Sequence, residues 1–156
     1  MPSQEDSSRA ETKKHTLVGT EEDPDYEELV YHESAHFFDR YQEFTRTTAI
    51  YPGNGTGSPE ALTYCILGLG GESGELQEKF KKLIRGGGFN ALVQLARAAD
   101  STDQRALAKE AGDVIWYVAR LLDELGMKFS EVMRTNVDKL SSRKTRGVLH
   151  GSGDDR

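Results

Sequence analysis

Two pairs of carboxylates share one spacing: Glu72 and Glu75 in GGESGELQEK, and Glu110 and Asp113 in KEAGDVIW. Acidic residues three apart lie one turn from each other on a helix, where their repulsion costs an isolated helix about 0.2–0.5 kcal/mol. Glu72 falls in line with Leu62, Cys65, Leu69, Leu76 and Leu83, and the second pair lies beside Ala111, Val114, Ile115, Val118, Leu122 and Leu125. Both pairs therefore border the stripe that should face a core. Gly70, Gly71, Gly74 and Gly112 weaken the same helices by up to about 1 kcal/mol each. Such a local conflict marks a site. Two helices that present these pairs to a shared interior surround a cavity with four carboxylates, which suits a hard, oxygen-seeking ion: Mg²⁺, with Mn²⁺ as a substitute. Glycines without Cβ atoms would let a partner helix or a substrate approach the acids closely. The bland alternative for either pair alone is a solvated helix face.

The same glycines could instead belong to a phosphate-wrapping loop, but the spacing opposes it. Gly68, Gly70 and Gly71 do not complete G-x-G-x-x-G because Ser73 stands at the last position, and no Gly-Lys-Ser/Thr follows. A competing motif is HESAH, residues 32–36, which satisfies the H-E-x-x-H pattern of zinc peptidases. No histidine occupies the third-ligand position of the metzincins, where Gln42 stands, and no substrate-binding sheet precedes it. Zinc proteolysis is thus a subordinate reading, with His32 and His36 on a helix surface or at a subunit contact.

The elements that must position the acids follow from helical periodicity. Leu29, Val30, Phe37, Phe38, Tyr41 and Phe44 outline a first helix from Tyr26 to Ile50, ended by Tyr51-Pro52-Gly53. Ser58 as N-cap and Pro59 at the first helical position start a second, which Gly86-Gly87-Gly88 stops after Arg85. FNALVQLARAA (89–99) is a short connecting helix. Ser101 and Gln104 form a capping box for a third helix ending at Gly126, and Ser130 caps a fourth carrying Val132, Met133, Val137 and Leu140. No segment alternates with period two. The expected fold is all-α, a four-helix-type bundle.

Charge divides the chain further. The net charge of −6 arises within residues 1–28, which hold nine acidic and three basic side chains, so positions 29–156 are balanced. Residues 1–24 should be a disordered acidic leader, 25–142 a single helical catalytic domain, and 143–156 a mobile arm. A balanced domain has no footprint for long nucleic acid. Apolar runs too short for a membrane span, no signal peptide and one cysteine, Cys65, point to a cytoplasmic protein with a buried thiol.

These stretches resemble the MazG-like family of all-α nucleoside triphosphate pyrophosphohydrolases, whose signature is E-x-x-E followed by E-x-x-D. The likeness runs through RTTAIYP (46–52), LTYCILGLGGESGELQEKFKK (62–82), KEAGDVIWYVARLLDELG (109–126), NVDKL (136–140) and RGVLHGSGDDR (146–156). The stretch between Glu75 and Glu110 is longer than is usual in the family, which makes FNALVQLARAAD an insertion. The resemblance implies hydrolysis of a nucleoside triphosphate to the monophosphate and pyrophosphate, with Glu72, Glu75, Glu110 and Asp113 as Mg²⁺ ligands. One of these, or Glu78, would orient the attacking water, although Glu78 could equally pair with Lys82. Asn136 and Lys139 match an N-x-x-K that contacts phosphate or sugar. Lys79, Lys82 and Arg85 would do likewise or form a solvated basic face. Gln42 and Arg46 resemble positions near the base, and Arg143, Arg146 and Arg156 in the arm would fold over a bound triphosphate. The resemblance also implies a homodimer or homotetramer. A non-catalytic nucleotide-binding or assembly protein of the same fold is the alternative.

Overall fold

Four helices in chain order, α1 (Tyr26–Arg46), α2 (Pro59–Arg97), α3 (Thr102–Glu124) and α4 (Phe129–Thr145), make up the protein. The computed structural model describes residues 26–98 and 100–150, with side chains from Ala35 onward. The leader 1–24, the end of the arm with Arg156, and the side chains of His32 and Glu33 lie outside the described residues. The all-α expectation holds: among the described residues there is no strand.

The helix starts behave as their chemistry dictates at two of the three expected caps. The Ser58 hydroxyl accepts from the Ala61 amide at 3.2 Å, with Pro59 behind it. Gln104 donates its amide to the Ser101 hydroxyl at 3.2 Å, and its side chain accepts from the Ser101 amide at 2.8 Å. Both arrangements satisfy amides that a helix start otherwise leaves without partners. The fourth helix differs. It begins at Phe129 behind Lys128, which makes no side-chain cap, and the Ser130 amide donates to Asp39 Oδ1 of α1 at 3.1 Å. The cap is supplied by another helix. The expected stop at Gly86-Gly87-Gly88 narrows to Gly88, whose φ is 61°, and the helix resumes beyond it to Arg97. Only a residue without Cβ adopts that conformation readily. The presumed insertion is thus the far arm of a kinked α2. At the other end of the chain α4 runs to Thr145, so Arg143 is helical and the arm starts later than expected.

α2 packs along α3 and on no other described helix, while α1 and α4 cover the rest of α3 and each other. The core is small. Tyr51, Ala61 and Cys65 pack with Ala49, Trp116 and Leu121. Phe38 meets Phe129 edge to face at 5.4 Å across the α1–α4 contact, a favoured ring geometry. Polar side chains join the elements. Gln42, buried on α1, donates from Nε2 to the Met127 carbonyl at 2.9 Å and accepts from the Phe129 amide at 3.0 Å, which fixes the α3–α4 turn.

A second clamp anchors the loop between α1 and α2. Glu124, its side chain fully buried at the end of α3, accepts from Tyr51 Oη at 2.5 Å, from the Gly55 amide at 2.7 Å and from the Gly57 amide at 2.9 Å. Arg120, equally buried, reaches Tyr51 Oη at 3.2 Å, Asn54 Oδ1 at 3.1 Å and Asp123 Oδ2 at 2.7 Å. Burial opposes the Glu124 charge, yet Tyr51, the two glycine amides and Arg120 outweigh it and hold the carboxyl below its ordinary range. The same balance, burial against Arg46 and Arg120, lowers Asp123.

A candidate metal centre between two helices

The α2–α3 contact brings the acidic pairs together. Side-chain oxygens of Glu72, Glu75 and Glu110 lie within 4.8 Å of one another; Glu110 is buried, Glu72 half-buried and Glu75 exposed. Among the described residues this is the one grouping that could hold a metal ion. Asp113 stands outside the tight set but close enough to act on it. Burial first, then the charges of Glu75, Asp113 and Glu110, push the Glu72 carboxyl above its ordinary value. The charges therefore meet on one side of the α2–α3 seam, with Glu75 and Asp113 open to solvent and Glu110 buried.

Close packing makes the meeting possible. Gly68, one turn before Glu72, faces the ring of Tyr117, one turn after Asp113, and a Cβ there would stand 2.1 Å from a ring carbon. By contrast a Cβ at Gly70, Gly71, Gly74 or Gly112 would meet nothing within 4 Å beyond its own helix backbone. One glycine admits the partner helix, and the others leave open space beside the acids. Tyr117 is flanked by Trp116 at 4.9 Å, while Tyr51 stacks on Tyr64 at 5.1 Å, so an aromatic cluster closes one end of the seam. Tyr41 of α1 completes the surroundings: burial, and then the Asp113 charge, raise its hydroxyl. Nothing in the local pattern singled out Tyr41, because only the packing of α1 on α3 brings it to Asp113.

The basic side chains sort into distinct environments. Lys79 sits inside the centre, its Nζ 3.3 Å from Glu110 Oε1. Glu78 points the other way, pairing with Lys81 at 3.7 Å and Lys82 at 3.6 Å, which is the exposed alternative for this residue. Arg85 lines an apolar cavity of about 560 Å³ with Leu76, Phe80 and Ile84. Asn136 and Lys139 are exposed on α4, a helix that does not touch α2. Arg46 is paired with Asp123 in a forked ion pair, and Gln42 is occupied by backbone groups; both are engaged in holding the fold. Arg143 is half-buried on α4 and Arg146 follows its last turn. His36 is exposed on α1 and belongs to no metal-capable group among the described residues.

The sequence model of the MazG nucleotide pyrophosphohydrolase domain matches residues 60–148, more than half of the chain and both acidic pairs. The chain belongs to the MazG nucleotide pyrophosphohydrolase family. It is also similar to the Gene 37 protein of Mycobacterium phage L5, 44% identical over 119 residues that cover 76% of this chain and 97% of the phage protein. No solved structure matches the chain. Within this MazG domain the matched segment starts at the head of α2 and ends just beyond α4, so α1 with its Gln42 clamp precedes it. No described helix is long and apolar enough to cross a membrane.

The donor set fits a divalent ion of the Mg²⁺ class. It consists of carboxylate oxygens alone, with no sulfur or imidazole. Oxygens sharing an ion at about 2.1 Å lie roughly 3 to 4 Å apart. The oxygens here, all within 4.8 Å of one another, are close to that spacing.

Proposed function

We propose that the protein is a Mg²⁺-dependent nucleoside triphosphate pyrophosphohydrolase, which converts a (d)NTP to the (d)NMP and pyrophosphate by attack of water at the α-phosphorus. The observation that carries this reading is the convergence of Glu72, Glu75 and Glu110 within 4.8 Å, with Asp113 close by, inside a MazG domain. Bound divalent ions would neutralise the triphosphate, lower the pKa of a water and stabilise the departing pyrophosphate; Mn²⁺ would serve in place of Mg²⁺.

The chain's own residues do the rest. Glu72, Glu75, Glu110 and Asp113 would hold the cations, and one of the two exposed members, Glu75 or Asp113, would accept a proton from water, since Glu78 is drawn to Lys81 and Lys82. The Tyr51–Tyr64 and Trp116–Tyr117 ring contacts flank one end of the seam. Asn136, Lys139, Lys82, Arg85, Arg143 and Arg146 remain candidates for phosphate or sugar contacts, as the family likeness suggests. Turnover of dNTPs and NTPs with Mg²⁺, followed as pyrophosphate and monophosphate release, tests the proposal. Glu72→Gln and Glu110→Gln should each abolish release while nucleotide binding persists in part. Wild-type protein that binds nucleotide without releasing pyrophosphate would favour the non-catalytic sensor and sink the enzyme.

The protein acts as a homodimer or larger homo-oligomer on this reading. α2 leaves a face opposite α3 that carries Ile66, Leu67, Phe80 and Ile84, with Gly70 and Gly74 between them, and three of these apolar residues are more than a third exposed. A second copy would cover it. Sedimentation should find an oligomer that Leu67→Glu converts to monomer; a monomeric wild type would refute this part alone.

A further inference from the structure

Lys79 is a cation inside a site that has to receive cations. Its Nζ lies 3.3 Å from Glu110 Oε1, and Glu110 is the most buried member of the carboxylate set, its side chain only 10% exposed. Lysine is a compact point charge on a flexible four-carbon stem, so it can neutralise a carboxylate and still be moved away. A divalent ion that takes Glu110 oxygen as a ligand needs that oxygen free of the ammonium and would be repelled by it at such range.

Space exists for the displaced group. Lys79 also lines a cavity of about 420 Å³ between α2 and the first turns of α3, shared with Lys82, Gly86, Gly87, Asp103, Ala106 and Leu107, in which Asp103 is an anion that could receive the ammonium. Gly86 and Gly87 contribute no side chains there. The cavity adjoins the carboxylates on the side away from the aromatic cluster, so an ammonium swung off Glu110 stays near whatever anion the cations hold.

We infer that Lys79 is the built-in counter-ion of this centre: it neutralises Glu110 in the metal-free chain and must be displaced before a divalent ion can bind there. This rests on the carboxylates being the metal site. Lys79 is a positioning residue whose effect is to weaken metal binding in the absence of nucleotide. An anionic phosphate that pairs with the freed ammonium removes the competitor, so metal and triphosphate favour each other's binding. Such a counter-ion also offsets the Glu110 charge between turnovers.

The test is Mn²⁺ binding to the full-length chain without nucleotide, read from the loss of the free-ion electron paramagnetic resonance signal. Lys79→Met should bind Mn²⁺ roughly three- to tenfold more tightly than wild type, a half-exposed ion pair being worth up to about one decade. Lys79→Arg, which keeps the cation and can fork onto the carboxylate, should bind no more tightly than wild type. Lys81→Met, which removes an exposed partner of Glu78, should leave binding unchanged and controls for net charge. Lys79→Gln repeats the measurement should the methionine variant fail to fold by circular dichroism. Folded Lys79 variants with affinity equal to or weaker than wild type overturn the inference and leave the metal site intact. Absence of Mn²⁺ binding in wild type and in both neutral variants overturns the metal site itself.

Discussion

Gly68→Ala should be destabilising even though alanine is the better helix former. At most helical glycines the added methyl gains up to about 1 kcal/mol in propensity. At position 68 it would lie 2.1, 2.3 and 2.7 Å from three carbons of the Tyr117 ring, distances no real contact tolerates. The ring has little room to retreat, because Trp116 stands edge-on to it at 4.9 Å. Overpacking of this kind costs about 1–3 kcal/mol, and a clash with a flanked ring belongs at the upper end. The net loss is then about 2 kcal/mol, which at about 3–6 °C per kcal/mol lowers Tm by roughly 6–12 °C. Gly71→Ala is the matched control, since its Cβ would meet nothing within 4 Å. It should raise Tm by a few degrees at about 1 kcal/mol. Calorimetry or circular dichroism melts of the three proteins measure both shifts. Because Gly68 and Tyr117 each lie one turn from the acids, the same variant should also need more Mg²⁺ for half-maximal stabilisation. A Gly68→Ala protein as stable as Gly71→Ala would refute the close approach of α2 and α3 at this point.

Two further outcomes follow from the polar clamps. Gln42→Leu strips partners from the Met127 carbonyl and the Phe129 amide. Unfolding free energy should then drop by about 2–3 kcal/mol in urea titrations while KM for nucleotide stays put; a KM effect without a stability loss would return Gln42 to the base-binding role. Glu124 and Asp123 have folded pKa values held below their ordinary ones. Their contribution is therefore full above about pH 4.5 and is lost as pH falls through the lowered values. Glu124→Gln should cost about 3 kcal/mol at pH 7 and flatten the acid limb of a stability-versus-pH curve; an unchanged limb would disprove the clamp.

Local chemistry wrote much of this protein plainly. The caps at Ser58 and Ser101 and the stop at Gly126 need only residues three or four apart, and they stand in the structure as the pattern predicts; of the four acids expected to meet across α2 and α3, Glu72, Glu75 and Glu110 group tightly and Asp113 stands apart. Failures occur where a partner is distant in the chain. The cap of α4 comes from Asp39, 91 residues away, so the local serine at 130 was a decoy. Gly86 and Gly87 carried the same stop signal as Gly88, yet only Gly88 leaves the helical region. Lys79 read as one of several basic residues on an amphipathic helix, and only the register of α3 against α2 turns it toward Glu110. Asp123-Glu124 carried no local signal of their role at the end of α3. Their burial depends on the 51–57 loop folding back, for which the repeated glycines at 53, 55 and 57 were the available hint.

The contrast between two acidic sets on α3 discriminates function from architecture. Near its end, Asp123 and Glu124 are buried, but donors from Arg46, Arg120, Tyr51 and two loop amides meet them, and both carboxyls are held low. A carboxylate so provided has no need of a cation, and its charge stabilises the fold that surrounds it. Nearer the head of the same helix, burial first, and then the charges of Glu75, Asp113 and Glu110, push Glu72 high, with no donor set like that of Glu124 to offset them. Folding energy is spent there to hold like charges together, with Gly68 shaved to bring the helices close and Lys79 placed as partial relief. Spacing alone could not separate these sets, since both are short acidic patterns on one helix. Their compensation does, and the less compensated set is the one at which the proposed metal centre would lie.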